Sequence, residues 1–280
     1  MSKIRFTKMH GAGNDYIYVY TPENPIANPW EVALEWSKFH TGIGSDGLIL
    51  IGNSNVADFS MRMFNNDGSE GRMCGNGIRC VGKFVYEHRL TRNKTISVET
   101  LAGIKTVQVH VECDDTVSGA TVDMGEPILS DKSLLATPDG SMKRGDICIS
   151  GKKYTGTFVS MGSPHFVIFV DDINQISLAE EGATIERCDL FPQGCNIEFA
   201  QIRADKSIRA RVWERGSGIT LACGTGACAV AVAAFLNGKS GRQATVAMDG
   251  GNLSVEWNSA DNHVYMTGPS VTVFEGEINL

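Results

Sequence analysis

Two cysteines lie in nearly the same local sequence: Met73-Cys74-Gly75-Asn76-Gly77 and Ala222-Cys223-Gly224-Thr225-Gly226, with 223 − 74 = 149 residues between the thiols. Each precedes an apolar segment that reads as a helix, so each thiol falls at a helix start. A helix N-terminus carries about half a positive charge and N–H groups that its own ladder leaves unused. A cysteine there has its thiolate favoured, which can draw a pKa of ~8.5 toward neutrality. The same N–H groups suit a substrate carboxylate and can hold it as charge builds. Gly75, Gly77, Gly224 and Gly226 let backbone approach closely enough to do so. Two such thiols can exchange a proton on two faces of one carbon. One removes the α-hydrogen of an amino acid as base, the other returns a proton from the opposite face, and the stereocentre inverts. The scheme needs no cofactor.

The echo extends beyond the thiols. Arg62-Met63-Phe64 is answered by Arg211-Val212-Trp213 (211 − 62 = 149), and Gly44-Ser45-Asp46 by Gly194-Cys195-Asn196 (194 − 44 = 150). Asp15–Val19 is answered by Phe166–Val170 (166 − 15 = 151). Collinear matches at a nearly constant offset indicate an internal duplication. The period is too long for a solenoid, whose units run roughly 20–50 residues. Two halves of domain size fit it.

Short β-type runs dominate both halves, with few helices. The helices are expected at Pro29–Phe39, Gly77–Glu87, Ile173–Glu180 and Gly226–Leu236. The fold class is therefore α+β: two pseudo-symmetric lobes, each a curved, mostly antiparallel sheet wrapped around a central helix. The expected lobes are residues 1–119, with 268–280 returning, and 120–267. The stretch Glu126–Gly151, with Pro127, Pro138 and Asp139-Gly140, reads as linking loops.

Composition narrows the function further. A net charge of −7 and a pI near 5.4 supply no basic stripe for nucleic acid. The eight cysteines contain no CxxC pair and read as thiols, not as zinc ligands or a disulfide framework. Gly216–Gly238 carries no charge and is long enough to span a bilayer, but its content of Ala, Gly, Thr and Ser fits a buried central helix. The N-terminus begins a strand without an apolar signal segment, so a cytoplasmic location is expected. No strand–helix glycine fingerprint for a nucleotide occurs. Cys80 and Cys228, inside their helices, read as small packing residues.

With these residues in hand, the chain resembles the diaminopimelate epimerases, cofactor-independent two-cysteine enzymes. The resemblance rests on His10–Asp15, Thr41–Gly47, Phe64–Glu70, Cys74–Gly77, Gly162–His165, Trp213–Gly216 and Ala222–Gly226 in that order. It implies that Cys74 and Cys223 are the acid and base, with Glu214 and His165 helping to set protonation. It also implies that Gly75-Asn76 and Gly224-Thr225 hold the reacting carboxylate. Asn14, Asn65, Ser163, Asn196 and Arg215 would line the site, Arg215 gripping the distal carboxylate with its planar fork. The family fold is a pair of pseudo-symmetric lobes with the small amino-acid substrate between them. Its product would feed lysine and peptidoglycan synthesis. Neither nucleic acid nor membrane is an expected partner, and a homodimer stays open.

Two departures bear on the substrate. Many family members carry asparagine where this chain has Ser163, and some carry glutamine where it has Gly47. The rival reading is a racemase of another amino acid, such as histidine, on the same scaffold. Histidine has no distal carboxylate, so the retained Arg215 favours diaminopimelate. A thiol redox sensor is a further alternative, but oxidation of facing cysteines would block catalysis.

Overall fold

The helix after each cysteine is buried on almost every side, and that decides what surrounds it. In a computed structural model of the chain, residues 3–279 are described. They divide into two compact units, one running to Asp123 and resuming at Thr267, the other spanning Met124–Met266.

The first unit holds strands β1 (Lys3–Gly11), β2 (Asn14–Tyr20), β3 (Gly47–Gly52), β4 (Phe59–Asn65), β5 (Glu70–Gly71), β6 (Thr95–Thr100), β7 (Gly103–Val111) and β8 (Val117–Asp123). Its helices are α1 (Pro29–Trp36) and α2 (Gly75–Glu87). The second unit holds β9 (Gly145–Ile149), β10 (Lys152–Ser160), β11 (Pro164–Phe169), β12 (Asn196–Ile202), β13 (Ile208–Glu214), β14 (Gly218–Thr220), β15 (Gln243–Met248) and β16 (Gly251–Trp257), with helices α3 (Leu178–Glu186) and α4 (Gly224–Leu236). The chain returns to the first unit within β17 (Val264–Pro269) and ends there as β18 (Val271–Asn279), paired antiparallel with β1.

Most pairings are antiparallel, but each unit inserts two parallel ones: β2 with β3 and β4 with β6, then β11 with β12 and β13 with β15. The strands beside the helices are buried on both faces and so read as continuous apolar runs, Gly47–Gly52 being GLILIG. Helix α4 contains no charged residue, and Ala227–Ala234 is buried throughout. Helix α2 buries two cations, each satisfied: Lys83 Nζ donates to Glu87 Oε1 and to the carbonyl of Val117, both at 2.7 Å. Large apolar side chains pack the sheets against the other two helices, α3 and α1. In the second unit they include Phe158, Phe166, Ile185, Ile197 and Phe199; in the first, Ile17, Val19, Trp36, Leu48 and Phe64.

The two units repeat each other in register. Ile17 pairs with Leu48 and Leu48 with Phe64; Phe166 pairs with Ile197 and Ile197 with Trp213. The differences 166 − 17, 197 − 48 and 213 − 64 all equal 149, the spacing of the thiols. The offsets of 150 and 151 suggested by sequence similarity are therefore slips of one and two residues. Ser163 answers Asn14, His165 answers Tyr16, Asn196 answers Gly47 and Glu198 answers Ile49.

Other expectations also shift. The segment expected to be linking loops contains β9, which forms a hairpin with β10 through Ser150-Gly151. Both turn residues have positive φ, 51° and 78°, as a two-residue hairpin turn requires. The helix expected over Ile173–Glu180 is a short 3-10 turn, Ile173–Gln175, followed by α3. A side chain at Gly47 has no room, because its Cβ would lie 2.1 Å from the carbonyl oxygen of Phe64.

Among the described residues no helix is long and apolar enough to cross a membrane. Phe158 is 1% exposed within the second unit's core. Phe158→Ala is expected to cost about 3–5 kcal/mol by leaving a cavity, read as a lowered urea midpoint; a loss under about 1 kcal/mol would show that this core does not stabilise the unit.

Candidate active site

Both cysteines occupy the same capping position. Cys74 is the residue before α2, with extended φ and ψ of −125° and 117°, and its Sγ accepts the N–H of Gly77 at 3.3 Å. Cys223 stands before α4 at −119° and 116°, and its Sγ accepts the N–H of Gly226 at 3.4 Å. Sulfur thus takes the place that a Ser or Asp oxygen fills at most helix starts. Gly75-Asn76 and Gly224-Thr225 form the first two helical positions, where N–H groups point out of the helix. Glycine at the third position leaves room for the side chains beneath. A Cβ at Gly77 would come within 2.5 Å of Ile49 Cδ1, and one at Gly226 within 2.8 Å of Glu198 Oε1.

In the first unit Cys74 is half-buried, and its thiol donates to Asn14 Oδ1 at 3.3 Å. That amide is held from its other end: Asn14 Nδ2 donates to Asp46 Oδ2 at 2.7 Å, and the N–H of Asp15 reaches the same oxygen at 3.1 Å. Asp46 therefore sets which end of the amide meets sulfur. Burial raises the Asp46 carboxyl above its ordinary value. Burial also pushes the Tyr16 phenol up, and charge on Cys74 and Asp46 adds to the shift. Behind the helix start, the fully buried Arg79 donates to Asn76 Oδ1 at 2.8 Å and to the carbonyl of Gly75 at 3.1 Å. It clamps the first turn from within. Asn65, at the end of β4, donates to Ser69 Oγ at 3.0 Å.

In the second unit Cys223 is buried, and its Sγ lies 3.4 Å from Thr225 Oγ1. Ser163 Oγ is 3.4 Å from that hydroxyl and 3.1 Å from His165 Nε2. His165 Nδ1 meets Glu198 Oε1 at 2.6 Å, both side chains fully buried. Burial pushes the Cys223 thiol well up, and the negative charges of Glu214 and Glu198 push it further. Glu214, which accepts the Thr220 hydroxyl, is itself raised by burial. Asn196 pairs with His165 across β11 and β12, and the backbone N–H of Arg215 donates to Asn196 Oδ1 at 2.8 Å. The Arg215 guanidinium is exposed and gives one N–H to the carbonyl of Gln193 at 2.6 Å.

Within each unit, then, the expected residues cluster around a capped thiol: Asn14 and Asn76 with Cys74; Ser163, His165, Glu214 and Thr225 with Cys223. Asp46, Tyr16, Arg79, Thr220 and Glu198 belong to these clusters but were not among the expected site residues. Asp46 lay inside a quoted motif. Glu198 had its own mark, an acid within the apolar strand Asn196–Ile202, and its burial was the missing fact. Cys80 and Cys228 are fully buried, as packing residues should be.

The family profile for diaminopimelate epimerase matches residues 6–130 and 157–273. The chain belongs to that family. Curated relatives named diaminopimelate epimerase agree with it end to end. The protein of Phocaeicola vulgatus is 57% identical, covering 99% of each chain; that of Methanococcus maripaludis is 50% identical, covering 99% of this chain and 100% of its own. Solved structures share the fold at far lower identity. A Bacillus anthracis phenazine biosynthesis protein of the PhzF family superposes with a TM-score of 0.73 at 15% identity, over 100% of both chains. A hydroxyproline epimerase from Agrobacterium vitis gives 0.71 at 15%, over 99% of this chain and 93% of that one. The family's α+β, sheet-dominated fold is the one described above.

Glu214 gives a pH test of the site. Its folded carboxyl titrates above the ordinary 4.5 because of burial. Between those values the folded protein holds a proton the unfolded chain has released, so stability falls as pH rises through that window. Glu214→Gln is expected to remove this loss, seen as a flatter trend in urea midpoint from about pH 4 to about pH 7. An unchanged slope would mean the carboxyl is not held in its burial-raised state.

Proposed function

We propose that the chain epimerises diaminopimelate, interconverting its L,L and meso forms by proton transfer between Cys74 and Cys223 at the α-carbon. The observation that carries this reading is the repeated capped thiol, each sulfur receiving the N–H of the third helical residue. Family membership supplies the substrate.

One thiol, as thiolate, takes the α-proton; the other, as thiol, delivers its proton to the opposite face. Charge that builds on the substrate carboxylate is met by N–H groups at Gly75-Asn76 and Gly224-Thr225, whose positions are fixed before the reaction starts. Low-barrier access to thiolate is what the helix N-terminus contributes. Glu214 and His165 set the protonation of Cys223 and meet the reacting ammonium group. Asn14, Asn65, Ser163, Asn196 and Arg215 bind the remainder, with Arg215 on the distal carboxylate. That role asks the guanidinium to share its donors between ligand and the Gln193 carbonyl, which a five-donor group can do. No cofactor or metal enters any step.

The relatives' names support an isomerase with a small amino acid as its partner, and a cytoplasmic location belongs to the same reading. A homodimer belongs to the same reading and is checked by sedimentation. Racemisation of histidine is the rival substrate, and Arg215 weighs against it.

Incubation with L,L-diaminopimelate, meso-diaminopimelate and L-histidine, followed by chiral chromatography, decides between them. Interconversion of the two diaminopimelate forms alone is expected, and turnover of histidine alone would overturn the substrate. Cys74→Ala and Cys223→Ala should each lower kcat by about 10²–10⁴-fold or more. Inversion at the wild-type rate by either variant would refute the two-base scheme.

A further inference from the structure

His165 is fully buried, and so is the Glu198 carboxylate bonded to it. Both nitrogens of the ring are taken: Nδ1 meets Glu198 Oε1 at 2.6 Å, and Nε2 meets Ser163 Oγ at 3.1 Å. Whatever this pair does for a ligand therefore passes through Ser163, which is only half-buried. Burying a carboxylate is costly unless its charge is bonded. Only one oxygen of this one is, because Oε2 has no hydrogen-bond partner among the described residues. The charge accordingly draws the ring proton to Nδ1 and leaves Nε2 bare. A serine hydroxyl has one proton to give. Nε2 competes for it with Thr225 Oγ1, 3.4 Å away, and the imidazole nitrogen is both nearer and more basic. Ser163 is left with lone pairs only.

We propose that Ser163 is a specificity-determining residue: it presents an acceptor and no donor, so it takes an ammonium group of the amino-acid ligand and offers nothing to a carboxylate. This rests on the function proposed above and names the ligand group that Ser163 meets. The hydroxyl stands where a ligand would lie, because Thr225 Oγ1 is 3.4 Å from both Ser163 Oγ and Cys223 Sγ. The charge around it suits a cation. Glu214 lies close enough to His165 and Glu198 to interact with both, so two acids serve this one small region. The first unit presents the same kind of group at the equivalent position. Ser163 answers Asn14, whose Oδ1 faces Cys74 at 3.3 Å because Asp46 claims its Nδ2 at 2.7 Å. In each unit, then, an acid occupies the donor of a polar side chain and leaves its oxygen free to accept. Asp46 does so directly. Glu198, which stands where the first unit has Ile49, does so through an imidazole.

Two measurements on the full chain test this. The first needs no ligand: ¹⁵N spectra should show the His165 ring protonated on Nδ1 and bare on Nε2. A proton on Nε2, alone or in a doubly protonated ring, overturns the proposal, because the hydroxyl proton is then not drawn inward. The second compares L,L-diaminopimelate with pimelate, the same dicarboxylate without its ammonium groups, by NMR titration of the wild type and of Ser163→Ala. The wild type should prefer diaminopimelate, and the ratio of the two dissociation constants should shrink about tenfold or more in the variant, since only the ammonium ligand loses a partner. A merely structural role would weaken both ligands alike, so an unchanged ratio overturns the proposal. A wild type that binds neither ligand refutes the substrate proposed above and not the acceptor. In that case, or if Ser163→Ala unfolds, the ring nitrogens of the wild type decide.

Discussion

Everything at this site depends on a hydrogen bond from a helix's third N–H to a sulfur atom. It fixes each thiol at the positive end of a helix and aims the remaining first-turn donors at the same spot. The geometry is tight at Gly77 and Gly226, the third position: a methyl group there would press on the side chains of Ile49 and Glu198 below. The rest of each unit serves to hold that helix still. A helix that is apolar on all sides, or whose cations are satisfied internally, can only be stable when sheet surrounds it. The strands of β3 and β12, buried on both faces, are the matching requirement from the sheet's side.

Two copies of one device invite the expectation of symmetry, and the backbone meets it, with one constant offset through three strands and the two pairings that join them. The side chains break it. Asn14, turned by Asp46, meets the first sulfur; Thr225, Ser163, His165 and Glu198 run back from the second. Acidic neighbours raise the second thiol by the ordinary electrostatics of burial and like charge.

Much of this was legible in the residues. The matched Cys-Gly-x-Gly motifs gave the thiols, the helices and the duplication, since glycine and cysteine at fixed spacing leave few other structural readings. Alternating apolar runs marked most strands. What escaped has physical reasons. Strands β5 and β14 are too short for periodicity to show. Strand β9 hides in a polar stretch because its hairpin is largely exposed, and β18 because its side chains, the apolar ones included, are mostly exposed, so no buried face marks it. The two-residue slip in the repeat arose because similarity of apolar strings was aligned, and the one-residue slip because two glycine turns were, whereas pairing is set by hydrogen-bond register. Those slips concealed the correspondence of Ile49 with Glu198. Within the site, the residues that bear chemistry directly were visible by type, but those acting through them, Asp46, Arg79 and Glu198, were visible only by burial.

The central claim, that separate groups remove and return the proton, is tested most directly by isotope at early times. L,L-diaminopimelate is incubated with the enzyme in D₂O, and the first few per cent of meso product and the remaining substrate are separated and weighed by mass. The account predicts product carrying one deuterium at the inverted carbon while recovered substrate stays protiated. Product that keeps its original α-hydrogen, or substrate that gains deuterium as fast as product forms, would show a single base at work.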